Sequence, residues 1–151
     1  MSEPTKPQAQ LILDQLVTWL TEIQQVNGYY TDAGLDLRTE QTRDSEPDAP
    51  CLYLFDDDAI ATPIADSGKN RWMQTLTIEA LIEDTGTGRA HARQLLTDIH
   101  RALRRKTLDW PPAAGVIALR ETARAIPPRP QSSDWLTPSV TIEIDFIDKE
   151  V

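Results

Sequence analysis

Few residues in this 151-residue chain are placed to do chemistry, and their spacing does not converge on a reaction. Asp56-Asp57-Asp58 sets three carboxylates in a row, a composition that can hold a divalent cation loosely. It lacks the spaced oxygen ligands and the sharp-turn glycine of an EF-hand loop, so a solvated acidic loop is the preferred reading. His91 and His100 lie on one expected helix. At roughly 100° per residue they point to opposite faces and cannot share an ion within that helix. Cys51 is the single cysteine, which excludes an internal disulfide. It sits in an apolar run with no His or Asn beside it, the setting of a buried, unreactive thiol.

Other reactive constellations are no stronger. No serine occupies a Gly-x-Ser-x-Gly turn, and no phosphate-binding glycine pattern occurs. The amides of Gly86-Thr87-Gly88 can face an anion at a helix start, but an ordinary capped turn explains them. Glu79 and Glu83 share a strand face with Thr75 and Thr77. A glycosidase pair needs a cleft and a controlled separation, and a wet sheet face accounts for these two. Arg101, Arg104, Arg105 and Lys106 form a basic cluster without interleaved aromatics, which is poor for single-strand binding. Cations at a helix C-terminus, or a contact with the acidic half of a neighbour, explain it better. No catalytic, cofactor-binding or metal-ligating residue is therefore expected, and the chain does not read as an enzyme.

The elements that carry these residues follow from periodicity. Ala9, Ile12, Leu13, Leu16, Leu20 and Ile23 recur at helical steps and predict a helix over 7–26. Thr5 and Gln8 suit a capping box at its start, and Asn27-Gly28 a stop. Thr31, Asp32 and Gly34 supply a polar turn. Residues 35–40 alternate as a half-buried strand, 41–50 read as a loop, and Cys51 to Phe55 as a short central strand. A second loop is expected over 56–70, long enough to be functional. A strand over 71–83 places Trp72, Leu76, Ile78, Ala80 and Ile82 on one face. A helix over 88–105 follows, capped by Thr85 or Thr87. Ile117, Leu119, Ala123 and Ala125 give one face of a strand over 116–126, with a bulge near Glu121. Pro127 to Asp134 form a stiff loop. The last strand, 136–147, buries Leu136, Val140, Ile142, Ile144 and Phe146. The expected fold is α+β: a single domain over 7–151 behind a flexible arm at 1–6. Its mostly antiparallel or mixed five-stranded sheet packs against two main helices in the order α-β-β-β-α-β-β.

Composition is that of an ordinary globular domain, with 40% hydrophobic and 26% charged residues. The N-terminus lacks the basic-then-apolar form of a secretory signal. No apolar run approaches the roughly 20 residues of a membrane span. The net charge of −9 argues against a general nucleic-acid binder. It is unevenly spread: residues 1–85 hold 5 Lys/Arg and 16 Asp/Glu, whereas 86–151 hold 10 and 8. Solvated surface charge is one reading. Complementary charge across a head-to-tail subunit contact is the other.

Helix 7–26, the turn Asn27 to Gly34, the strand start Pro50-Cys51-Leu52, the strand ending Ile78-Glu79-Ala80, the helix Ala90 to Leu103 and the terminal strand stand in a characteristic order. In that order the chain resembles the tail terminator (tail completion) proteins of long-tailed bacteriophages. The resemblance implies a virion protein at the tail–head junction, assembled in the host cytoplasm. It implies a homo-hexameric ring that caps the tail tube protein, ends polymerisation and offers a surface to head–tail connector proteins. Genomic DNA would pass through the lumen without specific binding, and no membrane is involved. The 41–50 and 56–70 loops become candidate contacts between rings or with the head. Candidate interface residues are Asp56, Asp57, Asp58, Lys69, Arg71, Arg101, Arg104 and Arg105. Two alternatives stand beside this: another neck or head–tail joining protein, and a small metal-dependent enzyme or ligand-binding domain using Asp56–Asp58.

Overall fold

Helix α1 (Gln8–Thr21) starts at Pro7, whose fixed φ of −55° suits a helix entrance and whose carbonyl accepts from the amides of Gln10 and Leu11. The computed structural model describes residues 6–39, 50–128 and 134–149. The Thr5 cap, nearly all of the 1–6 arm, the 41–49 loop and most of the Pro127–Asp134 loop lie outside these. After α1 come β1 (Leu37–Arg38), β2 (Cys51–Pro63), β3 (Asn70–Glu83), α2 (Gly88–Leu103), β4 (Val116–Ala125), β5 (Trp135–Leu136) and β6 (Ser139–Ile147). The strands form one six-stranded sheet in the order β1-β2-β3-β6-β4, with β5 also pairing with β3. β1 is parallel to β2 and every other pairing is antiparallel, so the sheet is mixed. The α+β architecture is as expected, with six strands in place of five. Thr137-Pro138 divides the last strand into β5 and β6, because proline cannot donate to the ladder.

Both helices lie on one face of the sheet. Ile12, Leu16 and Leu20 of α1 and Leu95, Leu96 and Ile99 of α2 meet the even-numbered residues of β3 and β6 in one core. Burial of each such side chain contributes roughly 1.5–3 kcal/mol. The alternation expected for β3 holds, and Gln74 shares its buried face. Gln8 ties the start of α1 to the far end of the sheet. Its side-chain amide donates to Ala114 and Ile147 (2.9 Å each), and its oxygen accepts from the Lys149 amide.

Four expectations are corrected. First, α1 ends at Thr21 rather than 26. The last carbonyls are taken from outside the helix: the Gln24 side chain donates to Thr21, the Asn27 side chain to Glu22, and the Gly34 amide to Ile23. Gly28 still takes the left-handed conformation (φ +88°), after a short 3-10 turn at Gln25–Asn27. Second, residues 56–63 are not loop. They continue β2, because Ala59 to Pro63 pair in register with Gln74 to Asn70. Third, the start of α2 is capped by Asp84, whose Oδ1 accepts from the amides of Gly86 (3.1 Å) and Gly88 (3.3 Å), not by a threonine hydroxyl. Fourth, β4 keeps no single apolar face. The bulge near Glu121 is present, a second one sits at Ile117, and Ile117, Ala123 and Ala125 are exposed.

Candidate assembly interface

The acidic run Asp56–Asp58 lies on β2 at a bulge, between the pairs Asp56–Leu76 and Ala59–Gln74. Every residue from Asp56 to Pro63 is exposed. Asp57 accepts a 2.7 Å hydrogen bond from the Thr77 hydroxyl. Side chains alternate along an extended strand, so three successive aspartates do not converge. Among the described residues no group of three or more His, Cys, Asp or Glu comes together as a metal site. Charge and a bulge on an outer strand instead oppose unplanned edge-to-edge pairing. On this strand lies Ile60, 60% exposed, and in the turn that follows lies Ile64. Lys69 is in the same turn.

Arg71, a candidate interface residue, points to the face of the sheet that the helices leave uncovered. It pairs with Asp145 at 2.7 Å. Arg120 of β4 reaches both oxygens of the same carboxylate at 3.1 Å and also meets Glu143. Asp145 stands on the face of β6 opposite the apolar core, yet its side chain is only 4% exposed. The Arg120 hydrogen bonds hold its carboxyl below the usual carboxylate range, against the opposing effect of burial and with a further contribution from Arg71. A carboxyl depressed by folding contributes stability that is complete above its unfolded value of about 3.9. That stability is lost as pH falls through the lower folded value. Asp145→Asn is therefore expected to lower stability at neutral pH and to flatten the acid side of the stability–pH curve, read by urea unfolding at successive pH values.

The basic cluster divides by role. Arg101 lies over the Tyr29 ring (4.8 Å to its centroid) and donates to the Gly28 carbonyl. Arg105 covers Trp19 at 5.2 Å, pairs with Glu22, and donates to the Ala102 carbonyl. Trp19 in turn meets Trp110 edge to face at 4.7 Å. These two arginines thus fasten α2 to the end of α1, a use that helix-end electrostatics alone did not reveal. Arg104 makes no side-chain ion pair among the described residues and lines an open cleft with His100, Leu119 and Glu121. In that cleft His100 Nδ1 meets Glu121 Oε2 at 2.5 Å, and Arg124 pairs with the same oxygen. The far half of β4 therefore carries both signs of charge.

Sequence reading missed the grip on the Asn27–Gly34 turn. Asp98 of α2 is fully buried. It accepts from the Tyr30 amide (3.0 Å), the Thr31 amide and the Thr31 hydroxyl (2.8 Å each). A charged residue interrupting the apolar stripe of α2 was the available signal. Sequence reading also missed the groove beside β4, where Leu108 (92% exposed) and Ile117 (38%) border Trp110 and Val116. No protein-family model matches the chain, and no curated protein matches it.

Proposed function

We propose that this chain caps the end of a phage tail tube, forming a closed ring on the last tube ring, ending polymerisation and offering the surface to which head connectors attach. The resemblance described above motivates the reading. The observation that carries it structurally is the exposed hairpin of β2 and β3, acidic along Asp56–Asp58 and bearing Ile60 and Ile64 in water. Exposed aliphatic side chains on an ordered, charged hairpin suit protein–protein contact. A cap needs such contact and no bond-making residue. On this reading the chain belongs to the virion at the tail–head junction after assembly in the host cytoplasm, and genomic DNA passes its lumen. Within the described residues no helix is long and apolar enough to cross a membrane.

The test is loss of the gene from the phage that carries it. Overlong or headless tails are expected, corrected when the intact chain is supplied in trans. Tails of normal length joined to full heads, in the absence of the chain, would refute the proposal.

A further inference from the structure

The chain has two asparagines, Asn27 and Asn70. Asn27 is followed by glycine, which has no side chain to shield its own amide nitrogen. Both Asn27 and Gly28 are exposed. In such a pair the Gly28 nitrogen, once it has given up its proton, can attack the side-chain carbonyl carbon of Asn27. A new C–N bond forms, the Cγ–Nδ2 bond breaks, and ammonia leaves carrying a proton from solvent. The cyclic imide then takes up water at either of its carbonyls, giving aspartate or isoaspartate at residue 27. Water and hydroxide are the only reagents, so the step needs no catalytic residue.

The folded turn opposes this reaction at three points. Asn27 closes the 3-10 turn Gln25–Asn27, and a helical backbone there directs the next nitrogen away from the side chain it would attack. The Gly28 amide donates to the Gln25 carbonyl at 3.0 Å, so its proton is engaged. The Asn27 side-chain nitrogen, the leaving group, donates to the Glu22 carbonyl at 2.9 Å. Ring closure must break both hydrogen bonds. α2 reinforces them from outside: Arg101 donates to the Gly28 carbonyl at 3.1 Å, and Asp98 holds the amides of Tyr30 and Thr31. Asn70 is a different case. Arg71 follows it, and its own amide and carbonyl are both bonded to Asp148.

We propose that Asn27-Gly28 is a latent deamidation site, gated by local opening of the Asn27–Gly34 turn and held shut by Asp98 and Arg101 of α2. The product does not restore the closed turn. A carboxylate at residue 27 has no N–H to give to the Glu22 carbonyl, and it sets a negative charge at the C-terminal end of α1, where the helix dipole disfavours it. Isoaspartate adds a methylene to the main chain and shifts Gly28 against both Gln25 and Arg101. Each modified molecule therefore opens more readily than before, and loss of ammonia makes the change one-way. This chemistry is independent of the capping reading.

Incubation of the full chain at mildly alkaline pH tests this, with digestion and mass analysis of the peptides holding Asn27 and Asn70. Modification at Asn27 is expected to be slow in the folded parent and roughly tenfold or more faster in urea, with Asn70 lagging in both. Asp98→Ala is expected to raise the folded rate roughly tenfold or more, because it frees the turn without unfolding the core. Arg101→Ala, at an exposed position, is expected to raise it as well. Phe146→Ala removes a core side chain near the start of α1, away from the turn, and is expected to leave the rate at the parent's. Asn27→Asp, which imitates one product, is expected to melt below the parent; an unchanged melting temperature would show that the modified turn closes as before. Equal rates in the folded parent and in urea, parent rates in both Asp98→Ala and Arg101→Ala, or equal acceleration by Phe146→Ala would each overturn the gating. No reaction at Asn27 even in urea would remove the site.

Discussion

Gly34→Ala is expected to destabilise the protein by about 3 kcal/mol, the cost of forcing a methyl group into a packed site that cannot open. A Cβ at this position would lie 2.5 Å from the Leu20 carbonyl oxygen and 2.8 Å from those of Thr21 and Ile23. These are backbone atoms at the end of α1, not the far ends of flexible side chains. Retreat is blocked as well, because the Gly34 amide donates to the Ile23 carbonyl at 2.9 Å. For a chain of this length the loss corresponds to a fall of roughly 10 °C in melting temperature. Gly28→Ala supplies the comparison. Nothing lies within 4 Å of its would-be Cβ, and only its φ of +88° resists a side chain, a cost of about 1 kcal/mol. Thermal or urea unfolding of the two variants separates close approach from backbone strain. A Gly34→Ala protein that unfolds with the parent would show that the turn does not sit against α1 as described.

Asp98→Ala is expected to cost about 4 kcal/mol, the largest effect of a single side chain outside the apolar core. Its fully buried carboxylate serves two amides and a hydroxyl. Removing it orphans all three donors. Asp98→Asn is expected to recover only part, because one carboxylate oxygen becomes an NH2 group facing an N–H donor. Thr31→Val removes a single donor and is expected to cost about 1 kcal/mol. Urea unfolding of the three variants should therefore rank Ala above Asn above Val. Equal effects for Asp98→Ala and Thr31→Val would mean that the two amide bonds contribute nothing. Hydrogen exchange at Tyr30 and Thr31 offers a local check, since both amides should lose protection when the carboxylate is removed.

The two sites explain why the Asn27–Gly34 stretch stood out as sequence. Its polar and glycine residues suggested a turn, and a turn it is. Gly28 was legible because a left-handed helix stop needs no distant partner. Gly34 was legible as a small residue but not for its reason, since the carbonyls it approaches belong to α1. Asp98 was legible as a charge beside an apolar stripe but not for its role, because its donors lie 67 and 68 residues away in sequence. The continuation of β2 through Asp56–Asp58 failed to show because local propensity disfavours aspartate in strands. Pairing of Ala59–Pro63 with β3 overrides that preference. Of the expected interface residues, Arg71, Arg101 and Arg105 turn out to hold the chain to itself. Asp56 to Asp58, Lys69 and Arg104 remain on the surface.

Periodicity alone determined the α+β class, the two helices and the buried faces of β3 and β6, because hydrophobic alternation is written locally and burial enforces it. Only the tertiary structure decided strand order, the burial of Asp98 and Asp145, and which arginines are already engaged. Each of these depends on residues far apart in the chain meeting in space, and one sequence does not record which partner a strand edge or a buried charge will find.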